Sequence, residues 1–146
     1  MKLNKRVYAF GVSFMLLGGL LTTVYAASVV DGKNYQTVTI KDIPAWGNVK
    51  YNLTLGSRKT DYSTVVNYAT FKKIRTEAAL GNYAALVDSS KNQKSNTVRL
   101  NSTPTWANER DVSNNTVYYS GVTSSSLEPS NSCDVTYSFS ANQLED

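Results

Sequence analysis

A two-residue period in hydrophobicity runs through this chain and leaves few folds open to it. Over residues 133–140, Cys133, Val135, Tyr137 and Phe139 alternate with Asp134, Thr136 and Ser138. Residues 49–55 repeat the pattern, with Val49, Tyr51, Leu53 and Leu55 on one face and Lys50, Asn52 and Thr54 on the other. In residues 35–41, Val38 and Ile40 oppose Tyr35, Thr37 and Thr39. Period two with β-branched and aromatic residues is the mark of a strand with one buried face. Burying the apolar side of 49–55 would contribute roughly 1.5–3 kcal/mol per side chain before entropy is counted. A slip of one residue would expose all four, so the pattern predicts a firmly set register there.

The remaining runs are shorter. Residues 83–88, 97–101 and 116–123 read as strands, and 109–113 as an edge strand. Residues 63–80 carry two patterns. Val65, Tyr68, Phe71, Ile74 and Ala78 recur at helical spacing, with Asp61 or Ser63 as a cap and Gly81 as a stop. The same stretch is rich in Thr, Val, Tyr and Phe, which favours two extended segments, 65–68 and 69–78, with Gly81-Asn82 as a hairpin turn. The strand reading is preferred because the segments that follow are β and need partners. Pro44, Pro104 and Pro129 and the polar stretches 56–61, 89–96 and 124–132 separate the runs. Seven or eight short strands so spaced predict an all-β protein, an antiparallel β-sandwich or open barrel, of which the sandwich after an N-terminal signal helix is the expected architecture.

That N-terminal segment, residues 1–26, has the parts of a secretory signal peptide. Lys2, Lys5 and Arg6 form a basic head, an apolar run follows from Val7 to about Val24, and Val24 and Ala26 fit the small-residue rule for cleavage between Ala26 and Ala27. The run is near membrane-spanning length, so a retained anchor is the alternative; the Gly- and Thr-containing end of the run and the lack of a following basic cluster favour cleavage. The expected product is secreted and extracellular. It divides into a flexible lead at 27–34, one β-sandwich domain at 35–141 and a frayed tail at 142–146, and no stretch after residue 26 reads as membrane-spanning. Charge reads differently once the signal is set aside. The whole chain has 15 basic and 11 acidic residues, whereas residues 27–146 have 12 and 11, a net of +1. The excess basicity is therefore no pointer to nucleic acid.

The absence of histidine excludes the Ser-His-Asp and Cys-His nucleophile systems and His-ligated zinc. No catalytic residue, metal ligand set or cofactor motif is identified, and the chain is expected not to be an enzyme. Glu109 and Asp111, two apart, would share a strand face and could serve acid–base chemistry on a glycoside; exposed edge decoration is the simpler reading. Cys133 cannot form an internal disulfide and is expected to be buried on the apolar face of its strand. Residues 50–99 hold nine basic and three acidic residues, and 100–146 hold one and six. A basic face carrying Lys72, Lys73 and Arg75 could meet an anionic cell-envelope polymer, although charges of this kind also protect sheet edges from aggregation. Trp46 and Trp106, each near a proline in a predicted loop, are candidate surface contacts through stacking on sugars or insertion at a membrane interface; the alternative is that they plug the ends of the sandwich.

The signal segment, Tyr83-Ala84-Ala85-Leu86-Val87, Ser95-Asn96-Thr97-Val98-Arg99-Leu100 and the closing strand at 133–140 resemble small, mostly uncharacterised secreted β-rich proteins of Gram-positive bacteria. Some of that group are thought to lie near bacteriocin systems. The resemblance implies no site residue. The leading expectation is a non-catalytic secreted module that binds a cell-envelope component or another protein. A membrane-active or growth-inhibiting bacteriocin-like protein is the second, and a glycan hydrolase using Glu109 and Asp111 the third.

Overall fold

A computed structural model describes residues 28–145; the signal-peptide reading and the Ala26–Ala27 cleavage site lie outside the described residues. Nine strands are present among them, with no helix: β1 (Ser28–Val30), β2 (Gln36–Pro44), β3 (Lys50–Arg58), β4 (Tyr68–Thr76), β5 (Asn82–Val87), β6 (Val98–Arg99), β7 (Thr105–Asn108), β8 (Val117–Ser124) and β9 (Ser132–Ser140). They form a five-stranded sheet in the order β1-β3-β8-β5-β6 and a four-stranded sheet in the order β2-β9-β4-β7. All pairings are antiparallel except β1 with β3. The fold is the all-β sandwich that the alternation predicts.

The core lies where the inner faces meet. β2 contributes Val38, Ile40 and Ile43; β9 contributes Cys133, Val135, Tyr137 and Phe139; β4 adds Ala69 and Phe71; β5 and β8 add Ala84, Leu86, Tyr118 and Val122. The Phe71 and Phe139 rings stack with centroids 6.1 Å apart. The hydroxyl that Tyr137 carries into this core is 2.7 Å from Ser120 Oγ across the sheets. Burial pushes the Tyr137 phenol well above its usual range, with the Ser120 hydrogen bond opposing it, so the ring stays neutral. Cys133 is buried and free, as expected, and burial raises its thiol pKa, opposed by a hydrogen bond from Asn82. The native protein should therefore fail to react with a thiol reagent that labels the denatured chain stoichiometrically; rapid labelling of native protein would contradict this burial.

The connections differ from the expected hairpins. Only β5 and β6 are consecutive strands of one sheet; every other connection passes from one sheet to the other. Gly81-Asn82 is accordingly not a hairpin turn. It leads from β4 in the four-stranded sheet to β5 in the five-stranded one, with Gly81 at φ 85°. Residues 65–67 are not extended either: Asn67 closes a loop on Ser63, its amide donating 2.7 Å to the Ser63 carbonyl and its oxygen accepting from the Ser63 N–H at 2.8 Å. Trp106 lies on β7 rather than in a loop, and residues 109–113 form no strand.

Both ends of the described chain are held more tightly than expected. Ser28–Val30 pairs with Leu55–Ser57, so the predicted loose lead contains a strand. In the predicted tail, Asn142 and Leu144 are buried. Asn142 Oδ1 accepts from the Thr60 and Asp61 N–H groups at 2.7 and 3.1 Å, while its amide donates to the Gly32 and Arg58 carbonyls, each at 2.9 Å. An asparagine that satisfies four backbone groups at once is a structural rivet, and it sets the corner where β3 ends.

Candidate functional site

Strand β3 does not bury the face its alternation marks. Val49 is 46% and Tyr51 39% exposed, while Asn52 is buried. The cause is a bulge. Asn52 pairs with Ser120 but Ser57 pairs with Tyr118, so β3 carries extra residues against β8. Asn52 builds the bulge with its own side chain. Its Oδ1 accepts from the N–H groups of Thr54 and Leu55 at 3.3 and 3.1 Å, and its amide donates 2.7 Å to the Leu55 carbonyl. Such local bonding competes with the ladder, and an odd insertion inverts the alternation on either side of it. Leu55 thus packs on the core, whereas Tyr51 turns outward.

Tyr51 lies over Gly121, its pairing partner on β8, and Gly121 in turn pairs with Ala85 on β5. A methyl group on Gly121 would stand 3.2 Å from the Tyr51 ring and from the Val49 side chain, so the glycine gives the ring room to lie low. The result is a shallow depression of about 130 Å³ on the outer face of the five-stranded sheet, lined by Val49, Tyr51, Tyr83, Ala85, Val87 and Lys91 among others. Lys91 reaches it from the loop between β5 and β6, its Nζ 5.3 Å from the centroid of the Tyr51 ring. That is cation–π distance.

A larger groove of about 590 Å³ adjoins this depression. It runs between β2 and the first half of β3, where β1 no longer covers the strand. Lys41, Lys50 and Lys91 line it together with Tyr51, and among the described residues no acidic side chain lines either hollow. Lys50 Nζ donates to the Lys41 carbonyl at 3.2 Å, which holds two of the lysines at one end. The loop joining β2 to β3 carries Trp46 at φ 68° and 73% exposed. Aromatic faces, three cations and a concave floor are the chemistry of a site for an anionic ligand with planar or ring-shaped apolar surfaces.

The basic cluster read from the sequence sits elsewhere. Lys72 and Arg75 pair with Ser138 and Thr136 on the outer face of the four-stranded sheet, whereas Lys73 pairs with the buried Tyr137, and a bulge lies between Lys73 and Arg75. The surrounding face is a ladder of hydroxyl pairs, Thr37 with Ser138 at 3.0 Å and Thr39 with Thr136 at 2.9 Å. The two tryptophans are also apart. Trp46 follows the edge strand β2, and Trp106 is on β7 at the opposite edge of that sheet. Trp106 packs against Tyr68 with ring centroids 5.8 Å apart and planes tilted by 40°, and its indole N–H donates 2.8 Å to the Leu144 carbonyl. Of the candidate surface contacts read from the sequence, none lines the groove; Trp46 is on the loop that joins its two strands. Lys41, Lys50, Lys91, Tyr51 and Gly121 carry no signal of their own in the sequence, since the bulge that gathers them depends on Asn52 rather than on any periodicity.

Glu109 and Asp111 are not a pair on one face. Asp111 is exposed at φ 54°, whereas the Glu109 side chain is fully buried. Glu109 meets Lys59, also fully buried, at 2.7 Å. Burial raises the Glu109 carboxyl to about 7, Lys59 pulling it down and Asp61 pushing it further up. Glu128, from the Ser-rich loop, serves the fold in another way. Its carboxylate accepts from the N–H groups of Leu80 and Ala79 at 2.9 and 3.0 Å, which lowers its pKa. Among the described residues no group of three His, Cys, Asp or Glu side chains could hold a metal ion, and no helix is long and apolar enough to cross a membrane. No protein-family model, curated protein or solved structure matches the chain.

Proposed function

We propose that this chain is a non-catalytic binding module of the cell exterior that takes an anionic, sugar-containing polymer of the cell envelope into the groove between β2 and β3. The observation that carries the reading is the convergence of Lys41, Lys50 and Lys91 on the outward-turned Tyr51, with no acidic side chain among the described residues lining the groove. Lysines supply charge attraction to phosphate or carboxylate groups, and the Tyr51 and Trp46 rings offer stacking faces to sugars. The signal-peptide character of residues 1–26 supports placing the module outside the cell.

The test is binding of the purified protein to wall teichoic acid, with a neutral glucan as control. Charge reversal at Lys41, Lys50 and Lys91 together should weaken binding at least tenfold, whereas reversal at Lys72 and Arg75 should leave it within about twofold; each 1.4 kcal/mol of lost attraction is a factor of ten. Raising the salt should weaken wild-type binding in the same direction. Gly121→Val should also impair binding by displacing the Tyr51 ring. Undetectable wild-type binding to the anionic polymer, or equal loss from both charge reversals, would count against the reading.

Trp46 favours a second reading. A tryptophan 73% exposed on the loop that joins the two strands of a lysine-lined groove suits a membrane interface. Dye release from anionic vesicles that Trp46→Ala abolishes would move the assignment to a membrane-active, growth-inhibiting protein.

A further inference from the structure

The interior of the sandwich contains a charged group that the groove does not use. Lys59 follows β3, and its side chain has no solvent exposure. Its Nζ is 2.8 Å from Asp61 Oδ1 and 2.7 Å from Glu109 Oε2, and it lies 3.3 Å from the Tyr68 carbonyl. Glu109 is equally buried, and neither of its oxygens has a donor in hydrogen-bonding geometry. Asp61 differs: its side chain is 40% exposed. Its second oxygen accepts the Gln143 N–H at 2.8 Å, and its own N–H is tied to Asn142.

A buried ion pair recovers its desolvation cost only when its remaining lone pairs and protons are satisfied. Here the Lys59 ammonium at 2.7 Å is the one charge that meets the buried Glu109 carboxyl, and the same amine is in contact with an Asp61 carboxyl group that is held in place by the Gln143 N–H. From this geometry we infer that Lys59 and Asp61 condense to an intramolecular side-chain amide, with Glu109 as the proton carrier. Glu109 takes a proton from Lys59 Nζ and passes it to Asp61 Oδ1, and the freed lone pair attacks the now neutral carboxyl at Cγ. A bond forms between Nζ and Cγ, and the carbonyl electrons move to oxygen. The Gln143 N–H, donated to one Asp61 oxygen, stabilises that developing charge as an oxyanion hole does. Glu109 then takes a second proton from Nζ and hands it to the departing oxygen, which leaves as water through the exposed side of Asp61. An ammonium and a carboxylate have become an amide and one water, Glu109 is restored, and no oxidant, reductant or co-reactant is consumed. A carboxyl that titrates near neutrality is suited to carry protons both ways. The product replaces the Lys59 ammonium and the part-exposed Asp61 carboxylate by a neutral amide, which removes the desolvation penalty of the buried cation and leaves Glu109 without its counter-charge.

Peptide mapping of the purified full chain by mass spectrometry tests the inference. Trypsin should cut after Arg58 but not after Lys59, giving a peptide from Lys59 to Lys72 that is lighter than its sequence by one water and yields no fragments separating residue 59 from residue 61. The Asp61→Ala variant should be cleaved after Lys59 and show its full mass. The Asp61→Asn variant should lose ammonia instead and converge on the wild-type peptide mass. Glu109→Gln should retain the uncondensed mass in a chain whose circular dichroism is still that of the β fold; should that variant not fold, the wild-type and Asp61 peptides decide. A wild-type peptide of full sequence mass, or a water loss that persists in Asp61→Ala, would overturn the assignment.

Discussion

At pH 8, replacement of Lys59 by Met is expected to lower the folding free energy by about 3–5 kcal/mol, the range for removing one partner of a buried pair. At pH 5 the deficit should be clearly smaller. The sign follows from Glu109. Its pKa in the fold is about 7, against an ordinary value of 4.5. A carboxyl raised in this way binds its proton more tightly in the folded than in the unfolded chain, so its contribution to stability is complete below about pH 4.5 and is lost as pH rises through about 7. The whole change is roughly 3 kcal/mol. Without Lys59 the opposing attraction disappears, the folded pKa climbs further, and the loss extends to higher pH. A chain already condensed to the amide lacks the Lys59 charge before the substitution, so this pH-dependent deficit belongs to the uncondensed chain. Denaturant titrations of wild type and variant at the two pH values measure the difference. The double variant Lys59→Met, Glu109→Leu should recover most of the stability at pH 8, since Asp61 is still hydrated. Equal stability of wild type and Lys59→Met at pH 8 would show that the interior cluster contributes nothing.

Phe139→Ala should cost about 3–5 kcal/mol with little dependence on pH. Phe139 is fully buried, stacks on Phe71 and sits on β9, which pairs with both β2 and β4. A cavity there cannot close by moving one strand without disturbing two ladders. The midpoint of urea unfolding should fall while the slope stays close to that of wild type, because the denatured surface is unchanged apart from one side chain. A loss below about 1 kcal/mol would mean that the sandwich relaxes around the gap.

These two sites also mark how much of the molecule could be read from its residues. β9 was legible in full: its two-residue period has no interruption, and Cys133, Val135, Tyr137 and Phe139 all face the core. So was the inward set of β2, up to the irregularity after Ile40. β3 was legible as a strand and misleading as a surface. Its period is as clear as that of β9, but Asn52 folds its amide back onto the next turn of chain and reverses the two faces. Periodicity carries no information on such a side chain-to-backbone bond, and the candidate groove is its direct result. Glu109 is obscured for a related reason. Its spacing from Asp111 matters only in a strand, and the chain there is irregular, with Asp111 in the left-handed region. The partner that explains Glu109 is Lys59, far earlier in the chain, which no local pattern could connect to it.

The alternation of the chain between sheets bears on when the molecule can form as well as on its shape. β2 and β4 are not neighbours; β9, the last strand, lies between them, and β8 likewise lies between β3 and β5. A partial chain ending before residue 117 has neither of the two strands through which the sheets are completed. It can assemble little beyond β5 with β6, β1 with β3 and β4 with β7. Pairs of this size are at best marginally stable in water. Growth or threading from the N-terminus therefore cannot fold this protein in instalments; it remains extended until its last two strands are free, and then closes both sheets together, at the slow rate expected of non-local pairing.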